Sequence, residues 1–133
     1  MAAHQQLTRD WWDLALPKFD AFISAIVMEE ASKGDIQAAQ LRLEKISNFL
    51  LLLVTPEVRE LSDLYFSAAK IPEKARADSY HLALASWHGM DFLVSWNCKH
   101  IANGNVKKIV DEINADYGIR SPIICTPEEL LEV

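Results

Sequence analysis

Apolar positions recur at two different spacings along the chain. Short, nearly continuous apolar runs alternate with longer stretches in which apolar residues return every three or four positions. The first pattern is typical of strands covered on both faces and the second of amphipathic helices, so the alternation predicts an α/β domain with a mainly parallel sheet. The runs predict four strands, at Asp20 to Ser24, Leu50 to Thr55, Asp91 to Trp96 and Ile123 to Thr126.

Helical spacing fills the segments between and around these strands. It predicts helices near residues 6–16, 25–33, 35–47, 56–69, 73–88, 103–117 and 127–132. Thr55 and Thr126 each precede a Pro-Glu pair, which places a hydroxyl at the N-cap and Pro at the first helical position. Gly34, Gly89 and Gly118 lie just beyond predicted helices, where a left-handed residue commonly ends them.

The length and the cysteine content restrict the class of protein. With 133 residues the chain is long enough for one domain and too short for two. Its longest apolar run, Phe49 to Val54, is far shorter than the roughly 20 residues of a spanning helix, and the N-terminus lacks a signal pattern. Cys98 and Cys125 form no metal-type pair or disulfide scaffold. We therefore expect no membrane association and, by default, a cytoplasmic location.

Charge and missing motifs exclude several functions. The net charge of −6 argues against passive phosphate binding, but not against a nuclease, because carboxylates that hold a metal add to the acidic balance. The chain has no Gly-rich phosphate loop, Gly-x-Ser-x-Gly elbow, CxxC pair or HExxH motif, which excludes most nucleotide hydrolases, serine hydrolases and zinc proteases. His81 and His88 lie seven residues apart on one helix face, and we interpret them as buried hydrogen-bonding residues.

Two acids lie where packing does not explain them. Asp78 is inside a mostly apolar helical stretch, and either Glu29 or Glu30 must turn inward at the end of another. A buried ionised carboxylate costs roughly several kcal/mol unless a cation or strong hydrogen bonds offset it, so a shared divalent metal would serve both acids. The competing interpretation is a dipole-favoured Asp78, paired with Lys74, and two solvated glutamates.

A third candidate, Asn97, ends the predicted third strand. Ligand sites of open α/β sheets gather at the carboxyl ends of strands, so Asn97 is well placed for chemistry. In the loop that follows, Lys99, His100 and Asn103 could approach a phosphate, an assignment that depends on their location alone. Cys98 with His100 is a poor zinc site, because no second Cys/His pair is available.

The order of these parts resembles the PIN domain (PilT N-terminus) ribonucleases, and particularly the VapC-type toxins of bacterial toxin–antitoxin pairs. The resemblance covers the chain from about residue 7 to the C-terminus. Glu30, with Gly34 four residues later, matches the second acid of the family, Asp78 matches the third, and Asn97 matches the fourth acid-or-amide position. The matching segments are Ile23 to Gly34, Ala75 to Ala85 and Phe92 to Asn97.

The resemblance implies a fold and an activity. The fold would be a single PIN-like domain over residues 1–133, with three layers, α/β/α, and a mainly parallel sheet of strand order 3-2-1-4-5. The activity would be that of a metal-dependent endoribonuclease in which Glu30 and Asp78 hold Mg²⁺ or Mn²⁺ and Asn97 positions a ligand water. The implied partners are an RNA substrate, a cognate antitoxin protein and a possible second copy in a homodimer.

The departure from the family concerns its first, central strand, which ends in an acid followed by Thr or Ser. Nothing before Gln6 matches that strand, so the chain resembles an N-terminally truncated domain, and we favour a misplaced or truncated start over genuine loss. Without a central strand, its two neighbours each keep an unpaired edge, so the sheet must close up, gape or borrow a strand. Metal binding should weaken with the loss of one carboxylate.

Two alternatives belong to other classes. The first is a catalytically inactive, toxin-like interaction protein that binds an antitoxin or itself, with the N-terminal helix around Leu7, Trp11, Trp12 and Leu14 as its partner surface. The second, a small signalling or nucleotide-binding domain, is disfavoured because a phosphate loop and a leading acidic strand are both missing.

Overall fold

The computed structural model of this chain describes residues 9–47, 49–95, 101 and 103–131. Within these residues the strands are β1 Phe22–Ser24, β2 Leu50–Leu52, β3 Phe92–Val94 and β4 Ile123–Cys125. The α-helices are α1 Ala25–Ala31, α2 Ile36–Ile46, α3 Pro56–Ala68, α4 Arg76–Trp87, α5 Gly104–Asp116 and α6 Pro127–Leu131. A π-helical segment, Trp11–Ala15, and two 3₁₀ turns, Leu16–Lys18 and Glu73–Ala75, complete the order.

The predicted mixed α/β class is confirmed, and the helix boundaries follow the predicted signals. Thr55 caps α3, because its hydroxyl oxygen accepts a hydrogen bond from the Val58 N–H at 3.3 Å. Gly89, just after α4, has a φ of +72°, the left-handed conformation expected there. The start of α6 differs from the predicted hydroxyl cap. There Glu129 accepts hydrogen bonds from both the backbone N–H and the hydroxyl of Thr126, at 3.0 and 3.2 Å.

The strands differ more from their predictions. Each is three residues long, shorter than the apolar run that predicted it. The helix expected near 6–16 is, in its described part, the π-helical segment followed by the Leu16–Lys18 turn. Pro17 lies in that turn and has no backbone N–H to continue a regular helix.

The described strands form two separate parallel pairs rather than one sheet. β1 pairs with β2 in the register Phe22 to Leu50, and β3 pairs with β4 in the register Phe92 to Ile123. The prediction of mainly parallel strands is confirmed for these pairs, and in the described part of the chain the two pairs are not hydrogen-bonded to each other.

The core lies between the helices α3, α4 and α5 and the strand pairs. α4 is central to this core, since every residue from Leu82 to Ser86 is buried. The buried apolar side chains of the same cluster include Val58, Leu61 and Tyr65 of α3, Val110 of α5 and Ile124 of β4. This packing fixes the position of α4, whose first two turns carry Asp78 and His81.

A buried polar network joins the same three helices. The Tyr65 hydroxyl of α3 donates to the Asn114 side-chain oxygen of α5. The Asn114 amide in turn donates to the hydroxyls of Ser86, at 3.2 Å, and Ser121, at 2.9 Å. Because Tyr65 and Asn114 are both fully buried, each hydrogen bond replaces one that water would otherwise make.

Candidate functional site

Glu30 is the acid of α1 that reaches another helix. α1 begins at Ser24, whose hydroxyl oxygen accepts a hydrogen bond from the Val27 N–H at 3.3 Å. Near its other end, the Glu30 Oε1 lies 2.9 Å from the His81 Nε2 of α4. The His81 ring is mostly buried, whereas Glu29 and Glu30 are both exposed. Neither glutamate therefore turns into the core, although the sequence predicted that one of them does.

Asp78 lies three residues before His81 on α4. Residues three apart on a helix are neighbours on one face, with Cβ atoms roughly 5–6 Å apart. Glu30 therefore contacts, through His81, the helix that carries Asp78.

The local setting of Asp78 differs from the expected one. The sequence placed Asp78 about two turns into a helix, but residues Glu73–Ala75 form a 3₁₀ turn and α4 begins at Arg76. Asp78 therefore lies in the first turn of α4, half buried, where the positive end of the helix dipole stabilises its charge.

The third predicted site residue, Asn97, lies outside the described residues, as do Lys99, His100 and Cys98. Asn103 is described and caps α5. Its side-chain oxygen accepts hydrogen bonds from the N–H groups of Asn105 and Val106, at 2.8 and 3.3 Å. This cap occupies the amide oxygen, so only the amide nitrogen of Asn103 is left for a phosphate.

Glu30 and Asp78 provide oxygen donors, the ligand type that Mg²⁺ and Mn²⁺ prefer. Sites for Mg²⁺ commonly use one or two carboxylates, with water and substrate phosphate completing the shell. Among residues 9–47, 49–95, 101 and 103–131, no group of three or more His, Cys, Asp or Glu side chains is placed to hold a metal ion. Glu30, Asp78 and His81 are among these residues, so the carboxylates are of the kind that a hard divalent cation takes but do not form such a group with His81.

His81 is the residue of this site that sequence reasoning underrated. It was interpreted as a hydrogen-bonding residue, and both it and His88 do make hydrogen bonds, the latter to the Leu53 carbonyl at 2.7 Å. Its spacing of three from Asp78 is the signal that would have associated it with the acids. His81 holds the Glu30 carboxylate against α4.

A cleft of about 710 Å³ lies against His81. All three residues of β1 and all three residues of β3 line it, and most of the remaining lining is apolar. Glu30 and Asp78 are not among the residues that line it.

A second groove, of about 850 Å³, runs along α3 and contains none of the predicted site residues. Three carboxylates, those of Glu57, Glu60 and Asp63, lie along it together with the exposed rings of Trp87 and Tyr117. Asp63 forms an ion pair with Arg76.

The predicted partner surface at the N-terminus is partly occupied within the molecule. The Trp12 ring stacks on Phe49, with ring centroids 5.6 Å apart, while Leu14 is exposed. Leu7 and the Trp11 side chain lie outside the described residues. The largest apolar exposure on a strand is instead at the edge of β2, where Leu50, Leu51 and the following Leu53 are 52–65% exposed.

Comparisons with known proteins identify no relative of this chain. No family model, no curated protein and no solved structure matches the chain. In the part of the chain that the structure describes, none of the helices combines the length and the apolar character that crossing a bilayer requires.

Proposed function

We propose that this protein is a PIN-type, metal-dependent endoribonuclease of the toxin kind, with Glu30 and Asp78 as its metal ligands. The observation that supports the proposal is the contact between Glu30 and His81, 2.9 Å long, which joins Glu30 to the helix that carries Asp78 three residues before His81. These are the two acids that the family resemblance selects, and they come from separate helices.

The strand pairing supports the same proposal. The described strands pair as β1 with β2 and β3 with β4, both parallel. A five-stranded sheet of order 3-2-1-4-5 leaves two such pairs when its central strand is taken out. We therefore propose that the chain has the three-layer, α/β/α arrangement of a PIN domain without its central strand.

Each residue has a separate role in the proposed reaction. Glu30 and Asp78 would hold Mg²⁺ or Mn²⁺, which when bound supplies a Lewis acid and an acidified water for phosphodiester hydrolysis. His81 donates a hydrogen bond to Glu30 and positions that carboxylate. Asn97 would position a ligand water. Lys99 and His100 would lie near the RNA phosphates, and a cognate antitoxin or a second copy would be the protein partner.

The test is a calorimetric titration with Mn²⁺, together with a cleavage assay on RNA. We expect a binding heat and Mn²⁺-dependent cleavage that chelation abolishes, both lost in Glu30→Gln and Asp78→Asn. Glu29→Gln is the matched control, because it removes the same charge from the neighbouring, equally exposed position of the same helix. Full Mn²⁺-dependent cleavage by Asp78→Asn would contradict the proposal.

A second candidate, an inactive toxin-like interaction protein, is favoured by the exposed leucines at the edge of β2. It predicts no Mn²⁺ heat and no cleavage by the unaltered chain. Leu51→Lys should then weaken self-association or antitoxin binding, whereas the ribonuclease proposal expects no change in Mn²⁺ heat from this variant.

A further inference from the structure

The groove along α3 follows one face of that helix over most of its length. Residues of α3 line it from Glu57, in the first turn, to Ala68, the last residue, and they recur at the three- and four-residue spacing of a single helix face. A helix rises roughly 1.5 Å per residue, so this face is about 16 Å long. The groove therefore has the length of about three turns of a second helix.

Two exposed aromatic rings from other elements also line the groove. Trp87 is the last residue of α4 and is 44% exposed, and Tyr117 follows α5 and is 63% exposed. Leu64 of α3 adds a further exposed apolar side chain. Large apolar side chains that are exposed together in a concave surface are typical of an interaction site, and Trp and Tyr are the residues that most often dominate binding energy.

The charge of the groove is negative and mostly uncompensated. Glu57 and Glu60 are exposed, and within the described part of the chain neither belongs to an ion pair, whereas Asp63 is paired with Arg76. Among the described residues that line the groove none is Lys, Arg or His, and Arg59 of the same helix is not part of the lining. The carboxylates and the faces of the aromatic rings both attract cations.

This charge selects the kind of occupant. Positively charged side chains beside Glu57 and Glu60 would be complementary to the groove, whereas like charges across an interface are repulsive. A second copy of this chain has a net charge of −6 and is therefore a poor occupant. A segment that pairs apolar side chains with Lys or Arg matches both the rings and the acids.

We propose that the groove along α3 is a docking site for a basic, amphipathic helix of a partner protein. Apolar side chains of that helix, three or four residues apart, pack on Leu64, Trp87 and Tyr117, and Lys or Arg side chains beside them reach Glu57 and Glu60. None of the residues that line this groove lines the cleft against His81. The binding needs no metal and no catalytic activity, so the inference goes beyond the proposed function.

The probe is a peptide of two repeats of Leu-Lys-Lys-Leu-Leu-Lys-Lys, acetylated and amidated, titrated into the full chain by calorimetry and NMR. We expect saturable binding, with amide shifts changed along α3 and at Trp87 and Tyr117. A peptide of the same composition, permuted so that its leucines share no helix face, should bind more weakly by roughly tenfold or more. Equal binding of the permuted peptide, or shift changes that spare α3, would overturn the proposal.

Two double variants separate the groove from general attraction to an acidic chain. Glu57→Gln with Glu60→Gln should weaken peptide binding by roughly tenfold, because both complementary charges are lost. Glu44→Gln with Glu112→Gln removes the same total charge at exposed positions that do not line the groove, and should leave binding unchanged. The same loss in both double variants would overturn the proposal.

A second pair of variants tests the apolar contact and the occupant. Trp87→Ser should weaken peptide binding by roughly tenfold, as loss of an aromatic anchor does, and Leu41→Ser, at a 60% exposed position of α2 away from the groove, should not. Full peptide binding by Trp87→Ser would contradict the proposed contact. Sedimentation equilibrium of the chain without peptide should show no dimer, and a dimer that Trp87→Ser abolishes would overturn a partner helix as the occupant.

Discussion

The helical core and the split sheet of this molecule differ in how completely their groups are partnered. In the core, Tyr65 and Leu82 are fully buried, and Asn114 bonds to three side chains. In the sheet, each described strand has one neighbour, and Leu50 and Leu51 of β2 are more than half exposed. The difference indicates that α3, α4 and α5 provide most of the stability. The strands keep backbone N–H and C=O groups on one edge with which a further strand could pair.

The largest expected effect comes from truncating one leucine in each region. Leu82→Ala removes a fully buried side chain from α4, and we expect it to lower the free energy of unfolding by about 2–5 kcal/mol. Leu51→Ala, in the sheet, should change it by no more than about 0.5 kcal/mol because that side chain is 52% exposed. Urea denaturation of the two variants measures both values, and equal losses would contradict the comparison.

The pH dependence of stability should show the burial of Tyr65. Burial disfavours the phenolate and raises the pKa of Tyr65 to about 12, against an ordinary value of 10.0. Both folded and unfolded chains keep the proton below pH 10, so this contribution is complete there and is lost as the pH rises from about 10 to 12. The loss amounts to about 2–3 kcal/mol.

Tyr65→Phe is the control for this prediction, since it cannot ionise. The difference in unfolding free energy between the unaltered chain and Tyr65→Phe should be constant up to pH 10 and shift toward the variant above it. A difference that stays constant to pH 12 would show that Tyr65 ionises as readily in the folded chain as in the unfolded one.

A smaller effect is expected from the polar network. Asn114→Ala leaves the Tyr65 hydroxyl without its acceptor and two serine hydroxyls without a donor, at a cost of about 1–3 kcal/mol. Asn105→Ala, on the exposed side of the same helix, is the matched variant and should cost less than about 0.5 kcal/mol. Thermal unfolding of the pair measures the difference, and similar midpoints would argue against a stabilising network.

The smallest effect concerns the link between α1 and α4. His81→Ala removes the contact to the half-exposed Glu30 and should cost only about 0.2–1 kcal/mol, as exposed ion pairs do. Arg120→Ala, whose pair with Asp91 is 73% exposed on both sides, should cost less still. A loss above about 2 kcal/mol in His81→Ala would mean that this region belongs to the stability core.

Local signals in the sequence predicted the helices well because capping is a local interaction. Thr55 before Pro56 and Gly89 after α4 act within one turn of chain. Strand length and strand partners depend on contacts between distant segments, so the sequence predicted where the strands lie but not that they form two separate pairs.

The candidate site was predictable only in part for the same reason. Glu30 and Asp78 were identified from sequence, but the contact that joins their helices spans 51 residues, from Glu30 to His81. The hydrogen bond between Tyr65 and Asn114 spans 49 residues and also leaves no local pattern. Such pairings are decided by how the helices pack, which periodicity does not reveal.

The central claim is that Glu30 and Asp78 bind one divalent cation together. Paramagnetic broadening by Mn²⁺ in the NMR spectrum of the chain tests it directly. We predict that resonances in the last turn of α1 and the first turn of α4 broaden together at low Mn²⁺, before those near Glu57 and Glu60 in the groove along α3. Broadening confined to one of the two helices, or appearing first at the groove, would contradict a shared site.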